Sequence, residues 1–238
     1  MKRPLVVLIV FIVMGIAGLQ ILTYQAPSQE YLDLQDQFNL YLGQDFSTES
    51  NFIDYLNALE LEHANENVKI DVTNNLVNTT LSGVIVHIDA PYVYVVTQSD
   101  AFINPFHIYI HIHDYKNRVE NASVVELDDA NHMVLLKFAS SNTDDLKAVT
   151  YASYQPLQNE VISSISATYD ILNHISLGIY QGYDENEILK VDIETSSESI
   201  GSSIYDINLQ LIGIRAYIDQ AYVVIPNAVI ISFVNQYI

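Results

Sequence analysis

From Val68 onward the chain breaks into short runs rich in Val, Ile and Tyr, separated by Asn, Asp, Gly and Ser. That spacing predicts an all-β barrel or sandwich. Strands are expected over Val68 to Val72, Ser82 to Ile88, Tyr92 to Thr97, His107 to His113, Ala122 to Leu127 and Met133 to Phe138. More follow around Glu160 to Ile165, Ser176 to Tyr180, Ile188 to Ile193, Leu209 to Ile214 and Tyr222 to Ile225. A closing helix is expected after them, capped by Asn227, with Ile230, Phe233 and Tyr237 on one face. Before Val68 the period is helical: Tyr31, Leu34, Phe38 and Tyr41 share a face and Gly43 supplies a stop. A second helix over Thr48 to His63 puts Phe52, Leu56 and Leu59 on one stripe. These two helices read as a spacer or as an arm packed on the domain, with no internal repeat, low-complexity tract or Gly/Pro/Ser linker.

The first residues form a different pattern. Lys2 and Arg3 precede an apolar run from Leu5 to Leu22, broken only by glycines and Gln20. It is long enough to cross a bilayer core of ~30 Å as a helix, with the positive flank held in the cytoplasm. A cleaved signal peptide is the competing reading, but Tyr24, Gln25 and Ala26 make a poor small-x-small site, which favours an uncleaved signal anchor. The expected organisation is a cytoplasmic stub and anchor over 1–26, a helical spacer over 27–66 and one folded domain over 67–238. That domain is expected on the outer face of the cytoplasmic membrane. With 238 residues, half of them hydrophobic, the chain can bury one sizeable core. It has no cysteine, which rules out disulfides and thiolate metal sites.

Charge narrows the partners. All 29 acidic residues and seven of the nine basic ones follow the apolar run. Such a field repels nucleic acid and anionic lipid headgroups, because binding a phosphate backbone relies on basic side chains. The acidity reads as a means of keeping an exported domain soluble.

Five local stretches carry a resemblance. SGVIV runs from Ser82 to Val86, and VVTQSDAF ends at Phe102. VVELDDANHMVLLKF spans Val124 to Phe138, LKVDIETSSESIGSSIYDINLQLIGI spans Leu189 to Ile214, and VVIPNAVIISFVNQYI ends the chain. In order and spacing they resemble the trypsin-like serine proteases of the HtrA type. The resemblance covers roughly Val68 to Ile238 and implies a trypsin-like double β-barrel with a C-terminal helix. It also implies where the catalytic machinery falls: Asp100 where the family has its histidine base, His132 where it has the buried aspartate, and Ile200 where it has the nucleophilic serine. Glu198 stands where an oxyanion-hole glycine is expected.

None of these side chains suits its place. Serine-protease chemistry needs an imidazole between a hydroxyl and a carboxylate. An ordinary carboxylate near pKa ~4 is too weak a base to activate an alcohol at neutral pH, and isoleucine offers no nucleophile. A carboxylate at Glu198 disfavours a developing oxyanion. A one-residue register error that recruits Ser199, Ser202 or Ser203 still leaves the base missing. Asp100 and His132 form a swapped acid and base, read as a structural remnant or a pH-sensitive contact. The expectation is therefore a catalytically inactive homologue that holds a protein or peptide partner. The alternatives are an active serine endopeptidase with a non-standard constellation, and a structural assembly subunit.

The resemblance also implies a peptide-pairing edge at Arg215, Ala216 and Tyr217. The connection that follows, Ile218 to Ala221, is shorter than the family's usual loop. No PDZ domain is expected after Ile238, so regulated proteolysis and trimer assembly are not carried over.

Independently of the resemblance, His107, His111 and His113 alternate with Ile108, Ile110 and Ile112, which places the histidines on one strand face. They are weak candidate metal ligands, with Asp114 nearby, against the simpler reading of a polar outer face. No cofactor is expected. The sequons at Asn78 and Asn121 matter only in a eukaryotic secretory pathway. The 17 tyrosines, in a chain without tryptophan, read as strand packing.

Overall fold

The computed structural model describes residues 61, 63–74, 77–102, 108–167, 173–183, 188–193, 199–206 and 208–238. Residues 5–22, the helix expected over 31–41 and residues 48–60 and 62 of the helix expected over Thr48 to His63 lie outside them. Among the described residues no helix is long and apolar enough to cross a membrane.

Twelve strands close into two six-stranded antiparallel barrels. The first takes β1 (Asn67–Asn74), β2 (Val77–Asp89), β3 (Tyr92–Gln98), β4 (Ile108–His113), β5 (Val119–Asp128) and β6 (Met133–Ala139). Its spatial order is β1-β2-β3-β6-β5-β4. The second takes β7 (Val161–Ser166), β8 (His174–Tyr183), β9 (Leu189–Ile193), β10 (Ser203–Tyr205), β11 (Leu211–Ile218) and β12 (Ala221–Pro226). Its order is β7-β8-β9-β12-β11-β10, the same connectivity repeated. Closure gives each of these strands a hydrogen-bonded neighbour on both sides. The turn between β11 and β12 is Asp219–Gln220, both at positive φ (50° and 66°), as a two-residue hairpin turn requires.

Strand alternation explains why so many runs read as continuously apolar. Ile85, Val93, Val95, Val134, Leu136 and Phe138 point into the first barrel. Their neighbours Val84, Val86, Val96, Met133 and Leu135 point the other way and are equally buried. They meet Ile165, Tyr205, Ile214, Ala216 and Ile225 of the second barrel, together with Ile230, Phe233 and Val234 of the closing helix α1 (Asn227–Val234). Both faces of β2, β3 and β6 are thus covered, one inside a barrel and one between barrels.

Two expectations about the closing helix need correction. Asn227 does not cap it: Pro226 holds the capping position, and the Asn227 amide instead donates to the carbonyls of Ala152 and Leu211 at 2.9 and 3.0 Å. Those two carbonyls belong to the inter-barrel connection and to β11, so the amide ties the helix start to the barrel. The helix ends at Val234, and Tyr237 lies beyond it, edge-on to Phe233 with ring centroids 5.5 Å apart.

Candidate functional site

The end of β3 runs through Thr97 and Gln98 into a single 3-10 turn, Asp100–Phe102. Phe102 anchors this turn in the first barrel's core, and its N–H bonds to Ser99 O at 2.7 Å. Ser99 N–H donates in turn to His132 O at 3.0 Å, which fixes the β5–β6 hairpin beside it. His132 adopts a left-handed conformation there, with φ 55°. Its Nδ1 lies 3.7 Å from Asp100 Oδ1, with both side chains well exposed. That is an ion-pair distance, too long for a hydrogen bond.

Ile200 reaches the same place from the second barrel. It follows Ser199 and precedes Gly201 in the turn leading to β10, and its side chain packs against the first barrel's core. Its carbonyl accepts the Ser82 N–H at 2.9 Å. Ile200, Asp100, Gln98, Ala101, Thr79 and Leu81 line a small pocket of about 240 Å3. The structure therefore brings Asp100, His132 and Ile200 to one inter-barrel cleft. Glu198 lies outside the described residues.

The three neighbouring serines are all buried. Ser199 Oγ accepts from Arg215 Nη1 at 3.1 Å, Ser202 Oγ accepts from Ser164 at 3.1 Å, and Ser203 Oγ donates to Asn67 Oδ1 at 2.6 Å. None of these bonds goes to an imidazole. Arg215 is itself only 1% exposed, and burial pushes its guanidinium pKa down from the usual value.

Of the three residues expected to form a pairing edge, Arg215 bonds through its backbone to Gly201 and Ser202, both at 2.8 Å. Ala216 is fully buried between the barrels. Tyr217 is part-exposed, its ring 4.9 Å from that of Tyr222. The strand itself runs on to Ile218, four residues past the expected end. The Tyr217 N–H and C=O are both taken by the side-chain amide of Gln98, a residue the sequence did not single out. Nothing in a polar residue at a strand end signals a partner 119 positions away in the chain.

A larger pocket of about 400 Å3 lies on the other side of His132, between Ala130–His132 and the β11–β12 hairpin. It is lined mainly by aliphatic side chains, among them Ile188, Leu189, Ile218 and Val229.

On β4, Ile110 and Ile112 are buried while His111 and His113 are half-buried on the opposite face. His113 Nε2 lies 2.9 Å from Asp71 Oδ2 and its Nδ1 lies 3.1 Å from Asn117 Oδ1. Among the described residues no group of three or more His, Asp or Glu side chains is placed to hold a metal, and His107 lies outside them. Burial pushes the Asp71 carboxyl up, but the Thr80 hydroxyl at 2.7 Å and the Lys69 ammonium at 3.3 Å outweigh it and hold the group below the usual carboxylate value. A depressed folded-state pKa stabilises above the unfolded value near ~4, and the gain is lost as the pH falls through the folded one. Asp71→Asn is therefore expected to lower the urea midpoint at about pH 7, with the gap to wild type closing well below pH ~4.

No protein-family model matches the chain, and no curated protein matches it. Among solved structures it is similar to the crystal structure of the serine endoprotease from Yersinia pestis, with a TM-score of 0.65 and 18% sequence identity. The likeness covers 76% of this chain and 66% of that one, just under two thirds of the protease's length. Two closed six-stranded barrels of the same connectivity, a short C-terminal helix and this match together give the chain the trypsin-like serine protease fold.

Proposed function

We propose that this protein is a catalytically inactive relative of the HtrA-type proteases that works by holding an extracytoplasmic protein or peptide partner. In this reading the apolar run at 5–22 anchors it as a single-pass protein, with the barrels outside the cytoplasmic membrane. The observation that carries the reading is the side chain of Ile200. It turns an apolar group into the first barrel's core at the cleft where Asp100 and His132 meet. A nucleophile there would need a hydroxyl in line with an imidazole. The nearest serines are buried, and their hydroxyls are bonded to Arg215, Ser164 and Asn67 instead.

A second reading, a structural assembly subunit, is favoured by the Gln98 contact to Tyr217, which occupies backbone groups that a bound peptide would use. Fluorophosphonate labelling of the full-length chain, followed by intact mass and peptide mapping, tests catalytic competence. No adduct is expected on the folded protein. A stoichiometric adduct on Ser199, Ser202 or Ser203 overturns the proposal and restores an enzyme.

A further inference from the structure

Gln98, only 2% exposed at the end of β3, reaches out of its own barrel to β11 of the other. Its Oε1 accepts the Tyr217 N–H at 2.8 Å, and its Nε2 donates to the Tyr217 C=O at 2.9 Å. Two directly opposed residues of an antiparallel ladder exchange this same pair of N–H···O bonds. One side-chain amide thus stands in for one residue of an absent strand.

The position of the contact gives it meaning. On one side β11 pairs with β12 all the way to Ile218. On the other side its pairing with β10 ends at Ile214, and the backbone of the Ser199–Ser202 turn satisfies Arg215. Two residues further on, Tyr217 presents its N–H and C=O away from β12, toward the cleft. It is the next point where an added strand would dock.

We propose that Gln98 is a built-in strand mimic that keeps the β11 edge closed to an extended polypeptide, and that rotation of this one side chain opens it. The proposal rests on the binding reading above and adds how that site is controlled. An incoming strand competes with an intramolecular amide that is already in place, so the closed form lowers the apparent affinity by the fraction of time the edge is open. A segment that displaces the amide recovers two backbone hydrogen bonds and gains contact with the Tyr217 and Tyr222 rings. The recovered pair is worth about tenfold or more in affinity.

The test uses the full-length chain in detergent micelles. The probe is a fluorescein-labelled Val-Thr-Val-Thr-Val peptide, with the same peptide N-methylated at its central amide as control. In wild type the Tyr217 amide is expected to exchange slowly with deuterium. In Gln98→Ala it exchanges at least about tenfold faster, and the peptide binds about tenfold or more tighter than to wild type, while the N-methylated peptide does not bind. Gln98→Ser, whose hydroxyl is too short to reach the edge, gives the same reading if the alanine variant does not fold. Equal exchange at Tyr217 in wild type and variant overturns the clasp. Equal peptide affinity, or none in either protein, overturns its role as a gate and leaves Gln98 a staple between barrels. The non-catalytic reading fails separately, by a fluorophosphonate adduct, which would leave these results unchanged.

Discussion

Gly201→Ala is expected to cost about 2–5 kcal/mol, a large share of the roughly 5–15 kcal/mol available to a folded chain. Gly201 adopts φ 79°, and a Cβ there would lie 2.0 Å from Ser82 O and 2.2 Å from Thr97 Oγ1. The left-handed backbone alone costs an L-residue about 1–2 kcal/mol. The overlap adds about 1–3 kcal/mol or more, because its first contact is backbone. Ser82 O cannot move freely: it accepts the Thr97 hydroxyl at 2.6 Å, and β2 is paired on both sides. Nor can the turn withdraw, since Ile200 O and Gly201 N–H are bonded to Ser82 and Arg215. Gly182→Ala separates the two effects, because Gly182 has φ 87° but nothing within 4 Å of its Cβ position. Urea unfolding of the full-length chain should show a small loss for Gly182→Ala and a collapse of the transition for Gly201→Ala. Similar losses for both would mean that the cleft is looser than the structure places it.

Much of the barrel framework is legible in the chain because burial follows the strand period. The eleven expected strands all fall on observed ones: ten carry a buried Val, Ile or Tyr, and in β5 the half-buried Val125, Ala122 and Leu127 pack against the cores on either side. The strand that was missed, β10 (Ser203–Tyr205), is short and begins with serine, and it is held by pairing to β7 and β11 rather than by a pattern of its own. The repeated connectivity of the two barrels is invisible to a search for repeats, because pairing order leaves no trace in residue identity. Asn227 illustrates a tertiary override: its capping propensity is real, but two carbonyls from distant segments compete for the same amide and win. The convergence of Asp100, His132 and Ile200 was reachable only through the resemblance. Gln98 was not reachable at all, because its partner is set by how one barrel sits on the other.

The same dependence on inter-barrel geometry governs a buried polar cluster at the entrance to the domain, and it gives the second large effect. Glu66, 1% exposed, receives three neighbours. His63 Nδ1 lies 2.6 Å from Oε2, and the Tyr205 hydroxyl donates to that oxygen at 3.2 Å. Lys147 Nζ sits 2.6 Å from Oε1, an ion pair off the line of a hydrogen bond. Asn67 donates to the Tyr205 hydroxyl at 3.1 Å and accepts from Ser203 at 2.6 Å, carrying the network into β10. The His63 ring stacks at 4.6 Å on that of Tyr205. Burial first, and then the Glu66 charge, push the Tyr205 pKa up, so the phenol remains a neutral donor.

Glu66→Ala removes the one acceptor that His63, Tyr205 and Lys147 share. Lys147 is half-exposed and recovers water, but His63 and Tyr205 are buried and cannot. Breaking a buried pair in this way costs about 3–5 kcal/mol, and the relief available to Lys147 places the expected loss near the lower figure. Tyr205→Phe keeps the ring stack and removes one hydroxyl, for an expected loss of about 1–2 kcal/mol. The two changes touch the same bond, so the double variant should lose less than the sum, by about 1 kcal/mol. Urea midpoints of wild type, both single variants and the double variant measure that coupling. Strict additivity would mean that Glu66 and Tyr205 act apart and that the cluster does not tie the chain before β1 to the second barrel.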